Sequence, residues 1–174
     1  MKYAALLRGI NVGGNKRVEM KRLKAMLEKL GYVEVKTYLN SGNAIFESDK
    51  KAVDITKGFS DAFKTEFGFD IPTLIISIKQ IQKIIKQIPE EWINDDNQKT
   101  DVAFLFKNAD LPEIIEQLPI KKEFIDIRYT KGALYWNISR ENYNKSQLNK
   151  IVGHKLYKFM TVRNINTARF LANS

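Results

Sequence analysis

The chain has 174 residues, enough for one large domain or two small ones with a real core, and having no cysteine it excludes disulfides and thiolate chemistry and fits a reducing cytoplasm. Its formal net charge of +9 is uneven: Met1 to Leu30 carries eight Lys/Arg against two acids, Arg140 to Ser174 seven against one, and Gly31 to Ser139 fourteen against seventeen. No apolar run reaches the length of a membrane span, and Arg8 interrupts the first apolar stretch too early for a secretory signal, so neither a membrane partner nor export is expected.

Taken in order, Tyr3 to Leu7 reads as a buried strand, and Met20, Leu23, Leu27 and Leu30 form the stripe of a helix. Val33 to Asn40 alternates like a strand, Gly42 permits a tight turn, and Ala44 to Phe46 returns as the next strand. Phe59, Phe63 and Phe67 mark a second helix, and Pro72 opens a fourth strand at Leu74 to Ile76, completing the order βαββαβ. A linking helix carries Ile78, Ile81, Ile84, Ile85 and Ile88 and stops at Pro89, before the polar loop Asn94 to Gln98.

The pattern then restarts. Val102 to Phe106 is a strand, Leu111 to Leu118 a short helix, Phe124 to Tyr129 and Leu134 to Ile138 a hairpin across Lys131-Gly132, Leu148 to Val152 a helix, and Phe159 to Val162 the closing strand. A terminal helix starts near Thr167, with Asn166 or Thr167 as its cap. The order of elements thus predicts an α+β chain of two tandem βαββαβ units, over 1–78 and 101–174, with the linking helix and loop at 79–100.

The copies differ in the loop after the first strand, which is only Lys107-Asn108-Ala109 in the second. In the first it is Arg8-Gly9-Ile10-Asn11-Val12-Gly13-Gly14-Asn15-Lys16-Arg17, with three glycines and three cations. Glycine permits positive φ and close backbone approach, and a helix N-terminus presents unpaired N–H groups, so such a loop suits an anion. Right-handed βα crossovers make strands one and two run the same way, which places the turn Asn40-Ser41-Gly42-Asn43 beside this loop.

Several chemistries are not encoded. Gly9 and Gly14 have P-loop spacing, but Asn15-Lys16-Arg17 stands where Lys and a magnesium-binding Ser or Thr are required, and no dinucleotide fingerprint is present. His154 is the only histidine, and no zinc set, nucleophile elbow or carboxylate pair is evident, so the sequence supplies no catalytic residues, metal site or cofactor. Lys131-Gly132 with Tyr135 superficially suggests an RNA-recognition strand, but Ala133 and Ile138 occupy its aromatic positions and Tyr135 and Trp136 would face opposite ways.

Three segments carry a family likeness: Ala4 to Gly14, Thr37 to Asn43, and Thr161 to Thr167. Together they resemble the signature of the bacterial family catalogued as domain of unknown function 1697, departing from it at Ile165, where an aromatic residue is expected. The resemblance implies a duplicated ferredoxin-like fold, that is, two α/β plaits, and no assigned activity.

Two functional readings follow, with an enzyme of unassigned class as a weaker third. One is a binding module for a phosphate-bearing small molecule or nucleotide, using Arg8, Asn11, Gly13, Gly14, Asn15, Lys16, Ser41 and Asn43, with Arg163 and Asn164 joining if the basic ends share a face. The other is nucleic-acid binding by the same ends, with Tyr38 stacking on a base. Both stand beside plainer roles: turn formation for Ser41 and Asn43, helix capping at Asn166 or Thr167, and solvated lysine-bearing faces.

Overall fold

The five uncharged residues Tyr3 to Leu7 are all buried in strand β1 (Lys2–Leu7). A continuous apolar run, instead of an alternation, is what a strand covered on both faces requires. In the computed structural model, which describes residues 1–12 and 16–174, the chain is mixed α+β, with two four-stranded antiparallel sheets. It divides into two compact units between Lys79 and Gln80, with Ser174 counted in the first.

The first unit continues with α1 (Met20–Lys29), β2 (Val33–Tyr38), β3 (Asn43–Glu47), α2 (Ala52–Phe67) and β4 (Thr73–Ser77). Its sheet has the order β2-β3-β1-β4, with Ala5 opposite both Ala44 and Ile75. One face packs Tyr3, Ala5, Leu7 and Phe46 against Leu23 and Leu27 of α1 and Ile55, Phe59 and Phe63 of α2. Each such side chain contributes about 1.5–3 kcal/mol by leaving water. α2 stops at Gly68, whose φ of +79° suits a left-handed cap and whose N–H donates to the Lys64 carbonyl.

The second unit carries most of α3 (Ile78–Ile85), then β5 (Gln98–Leu105), β6 (Asp126–Thr130), β7 (Ala133–Ser139), β8 (Met160–Asn164) and α4 (Ile165–Ala172). The order of its sheet, β6-β7-β5-β8, repeats that of the first. β5 begins at Gln98, inside the predicted loop, because the Gln98 side chain accepts from Ile93 N–H and Asn137 Nδ2 and so ties that residue into the sheet.

The two helices predicted between these strands are corrected to 3₁₀ turns, at Pro112–Gln117 and Leu148–Gly153. A three-residue repeat puts Leu148 and Ile151 on one side, where both are buried. Val152, which an α-helix would also turn inward, is 64 % exposed. Each segment is only six residues long, too short for α-helical propagation to repay its nucleation.

The capping expectation at the C-terminus is corrected too. Asn164 is the cap of α4, its Oδ1 accepting from Thr167 N–H at 2.9 Å, while Thr167 itself is buried one turn into the helix. Ile165 is fully buried, and Tyr135 and Trp136 are buried on opposite faces of β7, so these positions offer no base-stacking platform.

Candidate functional site

β1 and β2 are each antiparallel to β3, so they run the same way, and the loop after one emerges beside the turn after the other. Leu7 N–H donates to the Gly42 carbonyl at 2.9 Å, closing the base of this arrangement. Above it the backbone turns left-handed repeatedly, at Gly9 (φ +70°), Asn11 (+55°) and Lys16 (+51°) in the loop and at Leu39 (+56°) and Gly42 (+84°) in the turn. Such conformations persist only where surrounding contacts hold them.

Asn11 is the clamp. Its Nδ2 donates to the Asn40 carbonyl at 2.8 Å and to the Val18 carbonyl at 3.1 Å, and its Oδ1 accepts from Val18 N–H at 2.9 Å. One side chain thereby joins the start of the loop, the residue leading into α1, and the β2–β3 turn. Asparagine suits the position twice over, since it tolerates positive φ and carries both a donor and an acceptor. At Gly42 a Cβ would lie 2.7 Å from Ile10 Cδ1 and 2.8 Å from Leu7 Cβ, so only glycine fits under the loop.

Beside the clamp is a cavity of about 670 Å³. Asn11 and Asn40 form one wall, Arg17 and Arg22 bring two guanidinium groups, and Val18, Glu19 and Met20 complete it at the start of α1. The first bond inside that helix runs from Leu23 N–H to the Glu19 carbonyl, so the N–H groups ahead of it point out of the helix end. Glu19 occupies the cap position without making a side-chain capping bond, and the first turn contains no acid.

The two arginines are held differently. Arg22 bonds Glu66 through Nε to Oε1 at 3.0 Å and Nη2 to the carbonyl at 2.7 Å, and lies over the Phe67 ring. Arg17 is exposed and makes no ion pair among the described residues. The cavity therefore has one cation fixed in place and one available.

Of the residues singled out by sequence, Asn11, Lys16, Ser41 and Asn43 come together at this end of the sheet, and the Lys16 carbonyl accepts from Asn11 N–H at 3.3 Å. Asn43 is fully buried, its Nδ2 donating to the Tyr38 carbonyl and to Ser41 Oγ, so its amide shapes the turn. Arg8 is half-buried where β1 ends, with its N–H on the Pro72 carbonyl, and Tyr38 is half-buried at the end of β2. Gly13, Gly14 and Asn15 lie outside the described residues.

Arg163 and Asn164 belong to the second unit. Arg163 is buried, donates from Nη1 to Thr161 Oγ1 and the Val162 carbonyl, and burial pulls its guanidinium down to about 10. Sequence reasoning missed Arg17, Glu19, Arg22 and Asn40 as lining residues. The available signal was spacing, since Glu19 and Arg22 are three apart at the start of a helix and share a face.

A second cleft, of about 750 Å³, lies in the second unit; its lysine, Lys122, is paired with Glu116, and the other charged residues described in its lining, Glu123 and Asp126, are acids. Among the described residues, no group of three or more His, Cys, Asp or Glu is placed to hold a metal, and no helix is long and apolar enough to cross a membrane.

The family model described as "Protein of unknown function (DUF1697)" matches residues 1–135. The chain belongs to that family. Among solved structures it is similar to the conserved bacterial protein SP0830 from Streptococcus pneumoniae, with 26% identity, a TM-score of 0.86, and coverage of 99% of this chain and 97% of that one. A search of the curated proteins finds no match.

Proposed function

We propose that this family member binds a small phosphate-bearing ligand, of the size of a nucleotide or sugar phosphate, in the cavity at the start of α1. The observation that carries the reading is the convergence of Arg17, Arg22 and a helix N-terminus on one cavity of about 670 Å³. That volume falls within the range of small-molecule sites, about 300–1,000 Å³. A phosphate there meets the exposed guanidinium of Arg17, each charge-assisted bond contributing about 1.5–3 kcal/mol, and the positive end of α1 adds about 0.3–1 kcal/mol.

In this reading Lys16 adds a cation to the anion cradle and Arg8 adds charge at its base, while Gly13, Gly14 and Asn15, expected from the sequence to contribute, lie outside the described residues. Asn11, Ser41 and Asn43 hold its shape, and Tyr38 lies at its margin. Glu19 opposes a bare anion, and so favours a ligand whose polar, uncharged part reaches that wall. Arg163 and Asn164 serve the second unit's own structure. No catalytic step is assigned.

The repeated sheet order supports reading the chain as two ferredoxin-like plaits in tandem, with 1–78 and 101–174 as their bounds and the linking helix between. The absence of cysteine fits a cytoplasmic setting.

Calorimetric titration with inorganic phosphate, nucleoside monophosphates and triphosphates, and sugar phosphates at low salt tests the site. The expected result is binding by at least one of these that the Lys16→Ala, Arg17→Ala double variant loses by more than about tenfold, about 1.4 kcal/mol. Silence across the panel, or a double variant that binds like the parent, would overturn the reading.

A further inference from the structure

The second unit carries a different positive surface. After Glu141 the chain contains no acidic residue, while Lys150 and Lys158 follow on 3₁₀ turns at Leu148–Gly153 and Tyr157–Phe159, and Lys145 and Lys155 in the connections leading into them. Local bonds from His154 N–H to the Ile151 carbonyl and from Tyr157 N–H to the His154 carbonyl run these turns on from one another, and Phe106 N–H donates to the Phe159 carbonyl across from them. The last of these bonds sets Lys107, the neighbour of Phe106, beside Lys158. Lys107, Lys150, Lys155 and Lys158 therefore form a ridge, and all four are exposed.

None of the four makes an ion pair among the described residues. Lys150 Nζ contacts the neutral Gln147 Oε1 at 3.0 Å, and Lys158 lies over the Phe159 ring at 4.8 Å. The nearest carboxylate in sequence to Lys107, Asp110, directs Oδ1 to Tyr129 OH and Gly132 N–H. Among the described residues only a few surface lysines elsewhere are ion-paired, such as Lys24 with Glu28 and Lys64 with Asp70, so what marks Lys150, Lys155 and Lys158 is their shared acid-free stretch beside Lys107.

We propose that this ridge docks the phosphate backbone of double-stranded nucleic acid. Four ammonium groups spread over separate turns match a row of phosphates better than a single anion, and none of the four is a guanidinium able to grip one group in a fork. The aromatic side chains of these turns, Tyr143, Tyr157 and Phe159, pack on the unit's core instead of standing clear, so stacking on unpaired bases is not provided for. The contact is one of charge and carries no sequence preference. It is independent of the cavity in the first unit.

Fluorescence anisotropy of the full chain with a labelled mixed-sequence DNA duplex, oligo-dT of the same length, and phosphatidylserine vesicles as competitor is the test. Neutralising four phosphates gives a log–log salt slope of about −3.6, so affinity for the duplex falls about 150-fold between about 50 and about 200 mM salt. The triple variant Lys150→Gln, Lys155→Gln, Lys158→Gln leaves Lys107 alone, and its residual binding changes only about 3- to 4-fold over the same range. The charge-preserving Lys→Arg triple keeps the parent's slope, which separates charge from folding. Lys16→Ala with Arg17→Ala leaves duplex binding unchanged. A parent slope shallower than about −2, an unaltered Gln triple variant, tighter binding to oligo-dT, displacement by the vesicles, or loss of duplex binding in the Lys16, Arg17 variant would each overturn the proposal.

Discussion

Replacing Asn11 tests the site's architecture most directly, because one side chain makes three hydrogen bonds that join three segments. Each bond contributes about 0.5–1.5 kcal/mol net, and since the one to Asn40 is exposed the lower values apply. Alanine also pays for a left-handed backbone, here φ +55°, about 1–2 kcal/mol. Asn11→Ala should therefore open the loop by about 2–3 kcal/mol. Asn11→Gly loses the same bonds without the Cβ strain but gains freedom when unfolded, so it should fall about 0.5 kcal/mol short of the alanine effect.

Asn11→Asp keeps the acceptor for Val18 N–H but turns a carboxylate oxygen toward the Val18 and Asn40 carbonyls. The charged form is disfavoured in the fold, which raises the folded pKa above the unfolded one. The variant's deficit should accordingly shrink as pH falls through that raised value. Both tryptophans, Trp92 and Trp136, lie in the second unit and report poorly on this loop. Amide hydrogen exchange at Val18 reports on it locally. About 2 kcal/mol corresponds to exchange about 30-fold faster in Asn11→Ala. Exchange within about threefold of the parent would refute the clamp.

Gly42→Ala combines φ +84° with contacts of 2.7 and 2.8 Å to Ile10 and Leu7, and should cost about 2–4 kcal/mol in urea denaturation. Gly9→Ala, with φ +70° and open space around it, should cost only the conformational part, about 1 kcal/mol; equal losses would deny the packing argument. Asn164→Ala should lower stability by about 1 kcal/mol through loss of the α4 cap, and Asn164→Asp should restore it, as read by thermal melting. Asp95 accepts from Gln98 and Asn97 N–H groups, which holds its carboxyl below the usual 3.8, so its contribution is present above that pH and lost as pH falls through the lowered value. The difference in urea midpoint between the parent and Asp95→Ala should accordingly vanish in strong acid and persist at neutral pH.

Local periodicity carried much of the architecture. Leu23 and Leu27, Phe59 and Phe63, and the uncharged run Tyr3 to Leu7 announce their elements because helix and strand repeats are properties of neighbouring residues, and all seven of the apolar residues from Tyr3 to Leu7 and at Leu23 and Leu27 are indeed buried. Strand direction followed as well, since the handedness of crossovers constrains which loops share an end of a sheet, and that placed the Asn40 to Asn43 turn beside the Arg8 to Arg17 loop. Where Leu148, Ile151 and Val152 lie, the same periodicity fits either kind of helix, and only packing on the second sheet selected the three-residue repeat that leaves Val152 outside. Polar roles were decided last. Asn11, Asn40, Asn43 and Asn164 are alike as letters, yet one clamps a loop, one offers its carbonyl to that clamp, one is buried in a turn and one caps a helix, because a hydrogen bond depends on which distant groups the folded chain brings within about 3 Å.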